Sequence, residues 1–336
     1  MSGSPDDERP TPARLLFVHA HPDDETLTTG VTMASYAARG HDVHLLTCTL
    51  GEEGEVIPSD LAHRGPDCDD TLGSARREEL RAAMRVVGVE HVVLGEHPAH
   101  GVASRYRDSG MAGTASARHP QAFARADLGD AAALVADHIK ALKPDVVVTY
   151  DSHGGYDHPD HVQTHRVTMS ALSSLAADAA AGAHAGAGAG AGSGAHAHTA
   201  ATSAGPPVPV AYCILTPRSW ALQDREWLLE QAATISPNCT VPQQDSLYPP
   251  SVVRDEVVTH VVDEPAMVET QSRALAEHRT QVTVHEGYYA LSNHIAARLS
   301  GREGFAQFDP ATGSLVPAAP GAPRHTGLLT DVQGHR

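Results

Sequence analysis

Two short segments combine histidines with carboxylates at a spacing that suits a metal ion. AHPDDE places His21 three residues before Asp24. HPDH places His158 three residues before His161. This spacing lets one turn of the chain offer both side chains to one cation. The charge of the cation would also offset the repulsion among the adjacent acids. One such pair arises easily by chance, so the prediction of a metal site rests on there being two.

Both segments follow apolar runs that are typical of buried strands. The run at 14–20 and the helical pattern at 27–40 predict a strand, a loop and a helix. The alternation continues with strands at 42–49, 91–95 and 145–150 and helices at 74–88 and 130–144. Strands that are apolar throughout are buried on both faces. The sequence therefore predicts an α/β fold, with a parallel sheet flanked by helices.

The loops that leave three of these strands are rich in acids and histidines. They are AHPDDE at 20–25, LGEEGE at 50–55 and DSHGGYDHPDH at 151–161. In open parallel sheets, ligands bind in the crevice at the carboxyl ends of the strands. We therefore expect these three loops to converge on one edge of the sheet and to form the functional site there.

The remainder of the chain indicates an insertion and further α/β elements. Residues 176–204 contain no apolar residue larger than alanine, which predicts a flexible, low-complexity insertion at 176–207. Its histidines leave metal capture open as an alternative; they are His184, His196 and His198. Strands at 208–216 and 259–263 and helices at 218–232 and 265–282 follow.

These patterns divide the chain into four parts. We predict a catalytic core at 1–175, the insertion at 176–207, a C-terminal α/β part at 208–309 that completes the fold, and a disordered tail at 310–336. Deleting residues 182–198 is expected to leave activity intact.

Composition excludes several classes of function. The formal net charge is −17, which argues against a nucleic-acid partner because phosphate binding relies on clustered Lys and Arg. No apolar run is long enough to cross a bilayer and the first residues are polar, so we expect a cytoplasmic protein with no membrane partner. The four cysteines are widely spaced and predict neither a disulfide framework nor a thiolate zinc site. A nucleotide-binding module is disfavoured because no G-x-G-x-x-G follows the first strand.

Several segments of the chain resemble a known protein family. AHPDDE and GGYDHPDH resemble the paired signatures of the LmbE-like (PIG-L) de-N-acetylases, whose fold is Rossmann-like without a dinucleotide. HAHPDDETL, TCTLGEEGEVI, RYRDSGMAGT and VVVTYD are similar to the deacetylases of mycothiol biosynthesis within that family. The resemblance covers roughly residues 13–170. It implies removal of acetate from N-acetylglucosaminyl-inositol, a small-molecule substrate, and leaves a homo-oligomer open.

The resemblance also implies roles for individual residues. The metal ligands would be His21, Asp24 and His161, holding Zn²⁺ or, since two histidines and a carboxylate also suit it, Fe²⁺. The catalytic groups would be Asp23 as general base, His158 as acid or electrostatic support, Asp160 orienting His158, and Tyr156 polarising the amide carbonyl. The substrate-binding residues would be Arg76, Glu55 and Asp108.

Alternatives remain open at several of these positions. Asp23 and Asp160 could each do no more than cap a following helix, and Arg77 competes with Arg76 for its role. A mycothiol S-conjugate amidase, a sister activity with the same metal motif, is the alternative function.

Overall fold

A mixed sheet with helices on both faces runs through the molecule. The computed structural model describes residues 12–188, 208–319 and 321–334. Its strands are β1 (Arg14–His19), β2 (Asp42–Thr47), β3 (Glu90–Val93), β4 (Val146–Tyr150), β5 (Val210–Ile214), β6 (Thr216–Pro217), β7 (Val252–Val253), β8 (His260–Asp263), β9 (Thr283–His285), β10 (Tyr288–Ala290), β11 (Ala296–Arg298), β12 (Arg302–Asp309), β13 (Ser314–Leu315) and β14 (His325–Thr326). Its α-helices are α1 (Asp24–Ala38), α2 (Leu72–Val87), α3 (Leu128–Leu142), α4 (Pro159–Gly188), α5 (Arg218–Glu230) and α6 (Val268–Glu277).

The strand order explains where a site can form. Within the described residues the main sheet runs β14-β8-β12-β5-β4-β1-β2-β3, with β13 on β12. The five strands from β3 to β5 in this order are parallel to one another. The direction of winding reverses between β1 and β4, which opens a crevice at their carboxyl ends. The prediction of a Rossmann-like α/β sheet flanked by helices is confirmed.

The first strand shows why its residues are apolar on both faces. Leu15 and Phe17 pack into one hydrophobic cluster, and Leu16 and Val18 pack into the cluster on the other side of the sheet. All four side chains are fully buried. Burial of alternate residues on opposite faces is what a parallel strand between two helical layers requires.

The C-terminal part adds strands to the same sheet. β12 was not predicted from the sequence, because Glu303 and Gly304 interrupt its apolar pattern. It lies antiparallel between β5 and β8, so the sheet is mixed rather than wholly parallel. Glu303 is buried and accepts hydrogen bonds from the backbone N–H groups of Val31 and Thr32 in α1.

The prediction of a flexible insertion is wrong for the first part of its range. α4 continues to Gly188, so residues 176–188 form helix rather than a flexible loop; alanine has the highest helix propensity, and the run contains no proline to stop the helix. His196 and His198 of the insertion lie outside the described residues. The division at residues 175, 207 and 309 otherwise stays a prediction.

The tail is ordered over residues 321–334. β14 pairs with β8, and Leu328 and Leu329 are fully buried in the cluster that contains Phe17. The prediction of a disordered tail is therefore wrong for this segment, since two adjacent leucines there bury enough apolar surface to hold it. Of the helices in the described part of the chain, none combines the length and apolar character needed to cross a bilayer.

Candidate active site and metal centre

The site lies where the winding of the sheet reverses. His21 follows the end of β1 by two residues, and Asp24 begins α1. His161 lies in the first turn of α4, after the loop that leaves β4. Short connections at neighbouring strand ends therefore bring residues from distant parts of the sequence together.

Three ligand atoms form a nearly equilateral triangle. Asp24 Oδ2 lies 3.2 Å from His21 Nδ1 and 3.1 Å from His161 Nε2. The two ring nitrogens are 3.3 Å apart. Metal–ligand bonds of about 2.1 Å at tetrahedral angles place ligand atoms about 3.3–3.4 Å apart. The structure thus brings the three predicted ligands together at the spacing that a small tetrahedral cation requires.

In each histidine, the ring nitrogen that points away from the triangle makes a hydrogen bond, and this bond fixes where the ring carries its proton. His161 Nδ1 lies 3.0 Å from the carbonyl oxygen of Gly154, and a carbonyl can only accept, so Nδ1 carries the proton. His21 Nε2 lies 3.2 Å from Asp160 Oδ2 and donates to it. Each ring then turns a lone pair towards the triangle, as metal-binding histidines do.

Two further donor groups adjoin the triangle. His158 lies near His21 and His161, and His21 also lies near Asp108 and Asp160. In the group with Asp108 and Asp160, His21 would have to offer Nε2, but that nitrogen donates a hydrogen bond to Asp160. In the first group, His158 Nδ1 accepts a backbone hydrogen bond, which leaves its Nε2 as the available donor atom. The three donor groups share His21, and the predicted set is the one that includes Asp24.

The ligands are buried and electrostatically coupled. Burial by itself lowers the pKa of His21, but the carboxylates of Asp108, Asp160 and Asp24 outweigh it and hold that pKa well above 6.5. Burial raises the pKa of Asp24, but His161 and His21 outweigh it and hold that pKa well below 3.8. A cation and a proton therefore compete for His21.

Asp23, the predicted general base, is buried next to Asp24. Burial raises its pKa to about 6, opposed by Arg76 and supported by Asp24. Its carboxylate makes no capping bond to α1 and instead lies 3.1 Å from Arg76 Nη2. The alternative that Asp23 only caps a helix is therefore wrong. A carboxylate with a pKa near the working pH can take a proton and return it.

His158 and Tyr156 lie beside the triangle. The backbone N–H of Asp160 donates to His158 Nδ1 at 3.2 Å, which leaves the proton of the neutral ring on Nε2. Burial, with His21 and His161 nearby, lowers the pKa of His158 to about 3, so the ring is a neutral donor. Tyr156 is 52% exposed, with its ring 4.9 Å from that of His161.

Asp160 acts on a different histidine from the one predicted. Its carboxylate accepts the N–H of Ser109 at 2.8 Å and the Ser109 hydroxyl, and it contacts His21 Nε2. The prediction that it orients His158 is wrong for the side chain, because only its backbone N–H reaches that ring. The capping alternative is wrong too, since the carboxylate is used by Ser109 and His21.

Arg76 lines the cleft, but its guanidinium hydrogen-bonds mainly to neighbouring protein groups. Besides Asp23, its guanidinium donates to the carbonyl oxygens of Gly51, at 2.7 Å, and Pro22. Arg77 pairs with Glu96 at 2.5 Å. These contacts place Arg76 rather than Arg77 beside the carboxylate of Asp23.

The other two predicted substrate residues differ in burial. Glu55 is exposed and lines the cleft. Asp108 is 4% exposed, accepts the N–H groups of Glu53 and Gly110, and lies 3.4 Å from His21 Nε2. Asp108 therefore lies against His21 rather than at the outer rim.

Sequence analysis missed three residues that support the site. Tyr150 stacks on His161 at 4.4 Å and hydrogen-bonds to Asp24. Glu25 accepts the backbone N–H of Asp23 at 3.0 Å, and Ser109 holds the carboxylate behind His21. The position of Tyr150 at the end of a strand was a usable signal, whereas nothing in the sequence distinguished Ser109.

An open cleft leads from the triangle to the surface. Its catalytic side includes Asp23 and Tyr156, and its opposite side comes from the C-terminal part, including Tyr248, Asn293 and Arg298. A cleft with hydroxyl, amide and guanidinium groups along one wall suits a ligand with many hydroxyls.

Comparison with known proteins agrees with this geometry. The family model "PIG-L: GlcNAc-PI de-N-acetylase" matches residues 16–172. A 1D-myo-inositol 2-acetamido-2-deoxy-alpha-D-glucopyranoside deacetylase from Thermomonospora curvata is 41% identical over 96% of this chain and 98% of its own. A protein of the same name from Streptomyces scabiei is 43% identical over 86% of this chain and 83% of its own.

Among solved structures, the zinc-inhibited form of teicoplanin deacetylase Orf2 is 16% identical with a TM-score of 0.45, covering 88% of this chain and 99% of that one. The identity to the curated relatives extends through the C-terminal part and is not confined to the two histidine motifs. On this near end-to-end similarity, the chain belongs to the PIG-L family of de-N-acetylases.

Proposed function

We propose that the protein is a zinc-dependent deacetylase that hydrolyses the acetamide of N-acetylglucosaminyl-inositol, releasing acetate and glucosaminyl-inositol. The observation that carries the proposal is the triangle of His21 Nδ1, Asp24 Oδ2 and His161 Nε2, with edges of 3.1–3.3 Å, beside the carboxylate of Asp23. The names of the relatives, which this chain matches over most of their length, support the choice of substrate.

The donor set fits a catalytic zinc site. Two imidazoles and one carboxylate leave a position open, as catalytic sites require, and they also suit ferrous iron. His161 and His21 are held by Gly154 and Asp160, so little reorganisation is needed to bind the ion. The cation supplies Lewis-acid activation of water and of the acetamide carbonyl.

Asp23 moves the proton in this proposal. Its carboxylate takes a proton from the attacking water as the C–O bond forms at the acetamide carbon. Arg76 holds the carboxylate in place at 3.1 Å. When the C–N bond breaks, the same proton is available for the departing amine, so Asp23 returns to its charged form and acetate is released.

His158 and Tyr156 stabilise the charge that develops on the carbonyl oxygen. His158 offers an N–H from a ring that is neutral at working pH, because burial lowers its pKa to about 3. Tyr156 offers a hydroxyl at the mouth of the cleft. Donors fixed before the reaction stabilise a developing oxyanion better than water does.

Sugar recognition is assigned to the cleft walls. Glu55 lies where it can accept hydrogen bonds from hydroxyl groups. Arg76, which was predicted to bind substrate, uses its buried guanidinium for Asp23 and two backbone carbonyls and acts mainly on the base. Asp108, which lies inside the site, acts mainly on His21.

The test is turnover of N-acetylglucosaminyl-inositol by protein loaded with zinc, measured as free amine. A mycothiol S-conjugate is assayed in parallel. We expect faster turnover of the acetylated sugar and loss of turnover on chelation. Preferential cleavage of the conjugate would replace the proposed function with the amidase.

An Asp23→Asn variant separates catalysis from metal binding. We expect kcat to fall about 10²–10⁴-fold with metal content retained. Asp157→Asn is the control, because Asp157 is exposed and pairs only with His153 among the contacts described. Full activity of the Asp23 variant would remove this residue from the mechanism.

A further inference from the structure

The segment that follows α6 is fastened to the catalytic elements. We call residues 278–281 the anchor segment. His278 Nε2 lies 3.2 Å from Glu25 Oε1 in α1. Thr280 donates its N–H and its hydroxyl to Glu79 in α2, at 2.9 and 2.7 Å, and its carbonyl oxygen accepts the N–H of Ile57. The anchor segment lies outside the family-model match and had no predicted role.

Glu25 connects the anchor segment to the catalytic base. Its Oε2 accepts the backbone N–H of Asp23 at 3.0 Å, while its Oε1 accepts from His278 and from the hydroxyl of Thr26. The side chains of Glu25 and His278 are both fully buried. A continuous chain of hydrogen bonds therefore runs from His278 through one carboxylate to the backbone of Asp23.

The backbone of Asp23 needs such support. Its φ is 106° and its ψ is −36°, a conformation that side chains with a Cβ rarely adopt. Strained residues of this kind persist only where the surroundings hold them. Glu25 holds the N–H and Arg76 holds the carboxylate, so the direction of the Asp23 side chain is fixed from both ends.

We propose that His278 is a positioning residue that, through Glu25, holds Asp23 in the geometry needed for proton transfer. The inference rests on the proposed function, in which Asp23 is the base. It assigns part of the catalytic geometry to the C-terminal half of the chain.

Glu25 would not keep this arrangement without His278. Its Oε1 would be left fully buried with the hydroxyl of Thr26 as its donor among the described contacts, and a buried acceptor that loses a donor turns to find another. A carboxylate that turns away no longer accepts the N–H of Asp23.

The test compares three variants of the full-length, zinc-loaded protein. His278→Leu is expected to lower kcat about 100-fold, with KM and bound zinc unchanged, because a displaced base slows proton transfer. His278→Gln is expected to recover much of this loss, since an amide N–H can donate to Glu25. Thr280→Val, the control, removes a buried hydroxyl from the same segment and is expected to lower the melting temperature with kcat within about twofold.

A second readout needs no substrate. Hydrogen exchange at the Asp23 amide is expected to accelerate in His278→Leu but not in Thr280→Val. If wild type fails to deacetylate the sugar while this difference persists, the proposed function falls and the anchoring of Asp23 stands. Equal loss of kcat in His278→Leu and Thr280→Val, or unchanged exchange at Asp23, would overturn the proposal.

Discussion

His161 Nε2 and His21 Nδ1 lie 3.3 Å apart, although 140 residues separate them in sequence. Each ring donates from its other nitrogen, to Gly154 in one case and Asp160 in the other. The fold therefore holds two lone pairs at one point, and the carboxylate of Asp24 completes the set.

This arrangement predicts that His161→Ala abolishes tight zinc binding. Only two ligands would remain, and catalytic sites need three. Metal content after gel filtration and turnover should both fall to background. His153→Ala is the control, because this exposed histidine lies on the same loop and pairs with Asp157; retention of zinc by His161→Ala would place the ion elsewhere.

Sequence patterns were sufficient to predict the half of the fold that carries the two histidine motifs. Strands such as β1 and β4 are apolar on both faces and polar loops follow their carboxyl ends, so these loops were expected to converge on one edge of the sheet. The order of the strands was not predicted. β12 could not be predicted in this way. Its Glu303 is buried only because the backbone N–H groups of Val31 and Thr32, distant in sequence, supply partners.

The site was predictable to the level of residue type but not of contact. The motifs identified His21 and Asp160 as site residues. They did not show which histidine the carboxylate of Asp160 contacts, because that depends on how α4 begins. His278 gave no sequence signal at all, because its partner Glu25 lies 253 residues away. Such pairings depend on tertiary packing, which a local pattern does not encode.

Arg76→Lys is expected to lower kcat about 100-fold with little change in KM. A lysine cannot hold Asp23 and two backbone carbonyls together, so the base would be displaced. Steady-state kinetics on N-acetylglucosaminyl-inositol checks this, with Arg77→Lys as the neighbouring control. A rise in KM at constant kcat would instead assign Arg76 to substrate binding alone.

Gly154→Ala is expected to weaken zinc binding about 10–100-fold. Gly154 has φ +59°, and an added Cβ would lie 2.4 Å from His161 Cβ, which forces the ligand to move. Gly155→Ala is the control: it also has positive φ, +81°, but nothing lies within 4 Å of the added atom. Competition with a chromogenic chelator measures both affinities, and equal loss in the two variants would attribute the effect to backbone strain.

Glu303 is expected to make the folded protein less stable as pH rises from about 4.5 to about 7. Burial raises its pKa from 4.5 to about 7, so between these values the folded state holds a proton that the unfolded chain has lost. Stability is then lost with rising pH, by up to about 3 kcal/mol across the window. Urea unfolding at several pH values should show this slope relative to Glu303→Gln, which cannot ionise. Glu269 is exposed, so Glu269→Gln, the control, should keep the wild-type dependence of stability on pH. If the same dependence persisted in Glu303→Gln, another group would be responsible for it.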